Sequence, residues 1–205
     1  MTQRKILILF AHPQPDRSVA NVRLAEEIRE MPGITFVDLY AEYPRFEIDV
    51  DREQQRLVNH DVVVFQHPLY WYSTPAILKE WQDLVLEYGF AYGPEGLALK
   101  DKLFLSVITT GGAHKAYTRD GYQHFHLREL LTPIEQTVGL CGMHFLPPMV
   151  LYAAGHAVEE NRLEPHAKGY ACLLGALRDN RLDLKEAAQH RTLNDHLATC
   201  IGEAP

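Results

Sequence analysis

Two unbroken apolar runs constrain the fold of this chain more than any other feature. One spans residues 6–10 and the other residues 62–65, the second being Val62, Val63, Val64 and Phe65. A strand that faces water on one side alternates apolar and polar residues, and these runs do not. They read as strands buried on both faces, which is the condition of a parallel sheet covered by helices on both sides. The second run meets Gln66-His67-Pro68, and Pro68 is expected to stop the strand because proline donates nothing to a ladder.

Strand and helix patterns then alternate along the chain. Residues 5–10, 34–39, 62–65, 103–108 and 145–151 read as strands, the last interrupted by Pro147 and Pro148. Ser18 is placed to cap a first helix with Val22, Ala25 and Ile28 on one face. A short polar helix is expected over residues 51–59. Thr74 and Pro75 look like a cap and first-turn proline for a helix with Ile77, Leu78, Trp81, Leu84, Val85 and Tyr88 inward. Helices over residues 128–138 and 165–177 follow, the last with Ala167, Tyr170, Leu174 and Leu177 inward.

Five alternations argue an α/β fold: a three-layer sandwich with a five-stranded parallel sheet and helices on both faces. Right-handed crossovers favour the flavodoxin-like strand order 2-1-3-4-5. The domain is expected to end near residue 180, leaving residues 181–205 as a polar tail, loosely docked or disordered.

In that strand order the loops after strands one, three and four meet at one rim, where open α/β sheets bind ligands. The first loop brings Ser18 and Asn21 to a helix N-terminus, whose amides suit a phosphate, with His12 and Arg17 adding charge. The third brings Tyr70, Trp71 and Tyr72, three adjacent aromatics that a flat or apolar partner would cover. The fourth brings Thr109, Thr110, Gly111 and Gly112, whose amides can approach a ring's polar edge and stabilise negative charge on it. Taken together they suit a flavin.

Composition narrows the partners. A net charge of −7 disfavours nucleic acid and anionic membrane surfaces. No stretch is long and apolar enough for a membrane span, and the apolar run after Lys5 is too short for a signal peptide. Cys141, Cys172 and Cys200 are too scattered to indicate a disulfide framework or a metal site, and a reducing cytoplasm fits them. There is no Walker pattern and no Gly-x-Gly-x-x-Gly.

On Ala11-His12-Pro13 with Ser18 and Asn21, on Gln66 to Ser73 with Pro75, on Leu78, Lys79, Trp81 and Asp83, and on Thr109 to Gly112, the chain resembles the flavodoxin-like NAD(P)H quinone oxidoreductases. Leu39, Tyr40, Tyr43, Pro44, Phe46, Ile48, Asp49 and Leu146-Pro147-Pro148 make it most similar, within that family, to the ancillary proteins of the bacterial glutathione-regulated potassium-efflux system. The resemblance implies bound FMN, with FAD as the alternative because larger relatives bind it in the same place. Its contacts would fall on His12, on Ser18, Val19, Ala20 and Asn21, on Leu69, Tyr70, Trp71 and Tyr72, and on Thr109, Thr110, Gly111 and Gly112. It further implies NAD(P)H as co-substrate, a quinone as acceptor, a homodimer and a membrane potassium-efflux antiporter as partner, with the protein cytoplasmic or held at the inner membrane through that partner. In those larger relatives a tyrosine and a histidine beyond the glycine pair assist the quinone. Tyr117 matches the tyrosine, while the histidine position aligns with Gln123 and has His124 beside it. The expected catalytic set is therefore Gly111, Gly112, Tyr117 and His124. Two alternatives stand beside this reading: a regulatory subunit of the efflux system with little catalysis, and an electron-carrier flavodoxin. The loop from His12 to Ser18 lacks the hydroxyl-rich pattern of the carriers.

Overall fold

A computed structural model of the chain describes residues 2–194 and 196–202. Its centre is a parallel sheet in which β1 (Ile6–Phe10) lies between β2 (Ile34–Asp38) and β3 (Val62–Pro68). β4 (Leu103–Thr109) follows β3, and the order is β2-β1-β3-β4-β5, with β6 also paired to β4. The expected fifth strand is split. Pro147 and Pro148 leave β5 (His144–Phe145) and β6 (Met149–Leu151) as separate pieces, each parallel to β4. Neither proline has an N–H to keep one ladder continuous.

β3 runs further than expected, through Gln66 and His67 to Pro68. The reason is on its two sides. The Gln66 carbonyl accepts from Ala11 N on the β1 side, and Leu69 N donates to Thr109 O on the β4 side. By strand alternation Pro68 faces the β1 side, where β1 has already ended, so its missing donor breaks no bond.

Helices cover both faces. α1 (Val19–Ile28) and α7 (Leu163–Arg178) pack over one face on Ile6, Ile8, Val62, Val64, Leu103 and Leu105. α3 (Val50–Val58), α4 (Ala76–Val85) and α6 (Thr132–Leu140) pack over the other on Leu7, Leu9, Val63, Phe65 and Phe104. Alternate residues of each strand thus serve opposite cores, and burying each large apolar side chain contributes about 1.5–3 kcal/mol. Two short helices, α2 (Leu39–Glu42) and α5 (Leu127–Leu130), complete the connections. α5 and α6 replace the single helix expected over residues 128–138.

Other local details differ from expectation. Val22 is half-buried, while Ala20, Leu24, Ala25 and Ile28 form the buried face of α1. Thr74 does not cap α4; Pro75 occupies that position with no side-chain bond. Leu84 lies on the outer side of α4 at 38% exposure, and α4 ends at Val85, which leaves Tyr88 beyond it at 70% exposure. Trp81 is core as expected, its indole N–H donating to buried Glu53, which also accepts from Tyr43 and Arg56.

Beyond residue 180, described residues dock on the sheet edge. α8 (Leu184–Ala187) and α9 (Leu197–Cys200) bring Leu182, Ala187, Leu193 and Cys200 into the α1/α7 core. The Asn194 amide pairs with both backbone groups of Val150, as a further strand would.

Candidate functional site

The rim is built by the ends of β1, β3 and β4. After β1 the chain turns at His12, which is buried, with Nδ1 accepting from Gln14 N at 3.1 Å. Its Nε2 lies 3.5 Å from the Tyr70 hydroxyl. Burial holds the His12 pKa below the usual imidazole value, against the opposing pull of the Asp38 carboxylate. His12 is therefore a neutral ring whose Nε2 carries the proton. Ser18 caps α1, its Oγ accepting from Asn21 N at 3.2 Å. The N-terminal amides of this ten-residue helix open toward the rim with Val19 exposed and Ala20 buried. Arg17 is exposed beside them.

The aromatic loop after β3 is a tight turn. Tyr70 N donates to Ser73 O and Ser73 N to Tyr70 O, at 3.1 and 3.0 Å. The two residues between them, Trp71 and Tyr72, have φ of 49° and 64°. A two-residue turn with both central φ values positive ordinarily takes asparagine and glycine. Holding a tryptophan and a tyrosine there costs about 1–3 kcal/mol each. The strain presents the rings to solvent: Trp71 is 93% exposed, and Tyr70 and Tyr72 are 42% and 48% exposed. Leu69, half-buried, anchors the turn through its N–H to Thr109 O.

At the end of β4, Thr109 and the following Thr110 are buried and Gly111 is exposed. Thr110 Oγ1 donates to Gly112 O at 2.8 Å. A side chain added at Gly111 would meet nothing within 4 Å, so the space on that side of it is open. At Gly112 it would meet Tyr117. The Tyr117 ring is 6% exposed, and burial raises its pKa, against the Thr110 hydroxyl and the Gly112 amide beside the phenol. The phenol thus keeps its proton throughout the neutral range.

The structure bonds Asn21 to both Thr109 and Ser18, sets His12 beside Tyr70, and groups Gly112 and Thr110 with Tyr117. His124 belongs to none of these groups. It lies on the loop surface, exposed, at a φ of 58°, its carbonyl accepting from Arg119. Reading the residues alone missed the turn geometry of Trp71 and Tyr72 and the buried partners of Gln66. A signal for the latter was present, since the hydroxyl of inward Tyr170 requires a partner.

The residues suit a flavin on this structure's own terms. Asn21 Oδ1 is buried without a partner among the described residues, the α1 amides face outward, and the space beside Gly111 is open. Aromatic rings stand strained and exposed where a planar group would lie.

A parallel 2-1-3-4-5 sheet with this three-loop rim defines the flavodoxin-like class, and the chain belongs to that family: the model described as flavodoxin-like fold matches residues 4–173. Among individual proteins, it is 47% identical over 166 residues to the glutathione-regulated potassium-efflux system ancillary protein KefG of Enterobacter sp. (strain 638), covering 81% of this chain and 90% of that one. The structure of general stress protein 14 from Treponema denticola, in complex with FMN, is 36% identical with a TM-score of 0.80, over 84% of this chain and 99% of that one. An NADPH-quinone reductase from P. pentosaceus is 28% identical with a TM-score of 0.75, over 83% and 97%. Among the described residues, no helix is long and apolar enough to cross a membrane.

Proposed function

We propose that this protein is an FMN-dependent NAD(P)H:quinone oxidoreductase that also serves a membrane potassium-efflux antiporter as an ancillary subunit. The observation that carries the flavin part is the Trp71–Tyr72 turn: two large aromatics held at unfavourable φ and exposed on the rim. Strain of this kind persists where function uses it.

Ser18, Val19, Ala20 and Asn21 would hold the FMN phosphate at the α1 N-terminus. His12 would add a neutral N–H donor there. Leu69, Tyr70, Trp71 and Tyr72 would flank the ring, and Thr109, Thr110, Gly111 and Gly112 would line its polar edge. When bound, FMN supplies the hydride exchange between a nicotinamide and a quinone. Gly111 and Gly112 present backbone amides that favour negative charge at the ring edge. Tyr117 keeps its proton and serves as hydrogen-bond donor to the quinone oxygen. His124, on the loop surface, is a weaker candidate for that role.

Support for the nicotinamide and the quinone comes from the likeness to the P. pentosaceus reductase, and support for FMN from the likeness to the Treponema protein. The efflux role is supported by the likeness to KefG. A homodimer would cover exposed Trp71, Tyr88 and Tyr122, at 93%, 70% and 81% exposure. Steady NADPH or NADH oxidation by FMN-loaded protein with a soluble quinone tests the enzyme. Absence of turnover, with FMN bound and with co-purification of a potassium antiporter, would leave the regulatory role alone.

A further inference from the structure

Beneath the rim runs a line of buried side chains that the proposed chemistry does not use. The Tyr170 hydroxyl, on α7, donates to Gln66 Oε1 at 3.3 Å. Gln66 Nε2, near the end of β3, donates to the backbone carbonyl of Asn21 at 3.0 Å. Asn21 Nδ2 donates to Thr109 Oγ1 at 2.8 Å and reaches Ser18 Oγ at 3.3 Å. Tyr170 and Gln66 are fully buried, and Asn21 and Thr109 nearly so.

The direction of the line is determined by its fixed groups. A backbone carbonyl only accepts, so the nitrogen of Gln66 must face Asn21. Its oxygen must then face Tyr170, whose phenol holds its single proton because burial pushes its pKa up. Beyond Asn21 the line ends at the Thr109 hydroxyl, whose own proton it does not use, and at Asn21 Oδ1, which has no partner among the described residues. Both free ends lie where the first turn of α1 meets the end of β4. A leucine and a phenylalanine would fill the places of Gln66 and Tyr170 with no desolvated polar atoms to satisfy. Satisfied polar networks in such places specify one relative placement of the elements they join.

We propose that Gln66 and Tyr170 are positioning residues for the phosphate cradle: they hold the first turn of α1 in register with the ends of β3 and β4. This rests on the flavin reading above. Neither residue touches the ligand. Each acts through the Asn21 segment, so the phosphate end of the cofactor responds more than the ring.

The test compares dissociation constants of FMN and riboflavin, which lacks the phosphate, for the full chain and for Tyr170→Phe and Gln66→Leu, by quenching of flavin fluorescence. Tyr170→Phe removes one oxygen atom and keeps the tests open if Gln66→Leu does not fold. The expected result is FMN binding about three- to tenfold weaker in Tyr170→Phe, the worth of one net hydrogen bond, with riboflavin binding unchanged. Equal losses for both flavins would mean a general structural role and overturn the inference. Unchanged binding of both would overturn it too, with the flavin reading intact. A wild-type chain that binds neither flavin would overturn the flavin reading itself and this inference with it.

Discussion

Gly112 and Tyr117 are in contact so close that a β-carbon on the glycine would lie 3.1 Å from Cε2 of the tyrosine and 3.3 Å from its hydroxyl. Gly111, one residue earlier, has open space at the same position. The two glycines therefore answer differently to alanine. Gly112→Ala displaces the phenol and lowers quinone turnover, with flavin still bound. Gly111→Ala changes unfolding free energy by less than about 0.5 kcal/mol, as an uncrowded surface site should. Its methyl group projects into the proposed ring site, so FMN affinity falls. Unfolding curves and FMN titrations of both variants check the contrast.

Tyr117→Phe separates donor from scaffold. The ring stays and the proton is lost. Turnover with a soluble quinone falls at least about tenfold, given that general acid help is typically worth about 10²–10⁴-fold. FMN affinity stays as in the wild type. Unchanged turnover removes Tyr117 from the chemistry.

Trp71→Gly relieves a left-handed tryptophan. At 93% exposure the side chain contributes little packing, so the variant is more stable than the wild type by about 1 kcal/mol in urea unfolding without flavin. The same change weakens FMN binding. A variant that is both less stable and equally able to bind flavin would contradict the claim that strain is kept for the ligand.

His67 is fully buried, and burial lowers its pKa to about 4 from an ordinary 6.5. Between those values the unfolded chain binds a proton that the folded chain does not. This contribution to stability is therefore complete above pH 6.5 and is lost as pH falls toward 4, at no more than about 1.4 kcal/mol per pH unit. His67→Leu flattens the curve of unfolding free energy against pH in that window. The Pro68 carbonyl loses the His67 Nδ1 contact but keeps Tyr70 N as donor.

The layout of the fold was legible because buried strands write themselves as continuous runs. Residues 6–10 and 62–65 required a sheet covered on both faces, and the alternation with helices ordered it. Boundaries were less legible where the outcome depended on a neighbour. Pro68 ends a strand only if its partner on that side continues, and β1 does not. Tyr88 reads as helical and inward, yet α4 stops at Val85. The loops of the rim were legible as residue types: Ser18, Tyr70 to Tyr72, and Thr109 to Gly112. The φ values of Trp71 and Tyr72 and the line from Tyr170 to Thr109 were not, since both arise from contacts between segments far apart in the chain. The docking of Leu182, Ala187 and Leu193 was hidden for the same reason: they stand in a largely polar stretch and bury only against a distant edge.

Titration of the purified chain with FMN, followed by visible absorbance and flavin fluorescence, tests the central claim most directly. The account predicts a saturable perturbation of the flavin spectrum with quenched emission, weakened by Gly111→Ala and by Trp71→Gly. A folded protein that leaves the spectrum and emission of excess FMN unaltered would contradict it.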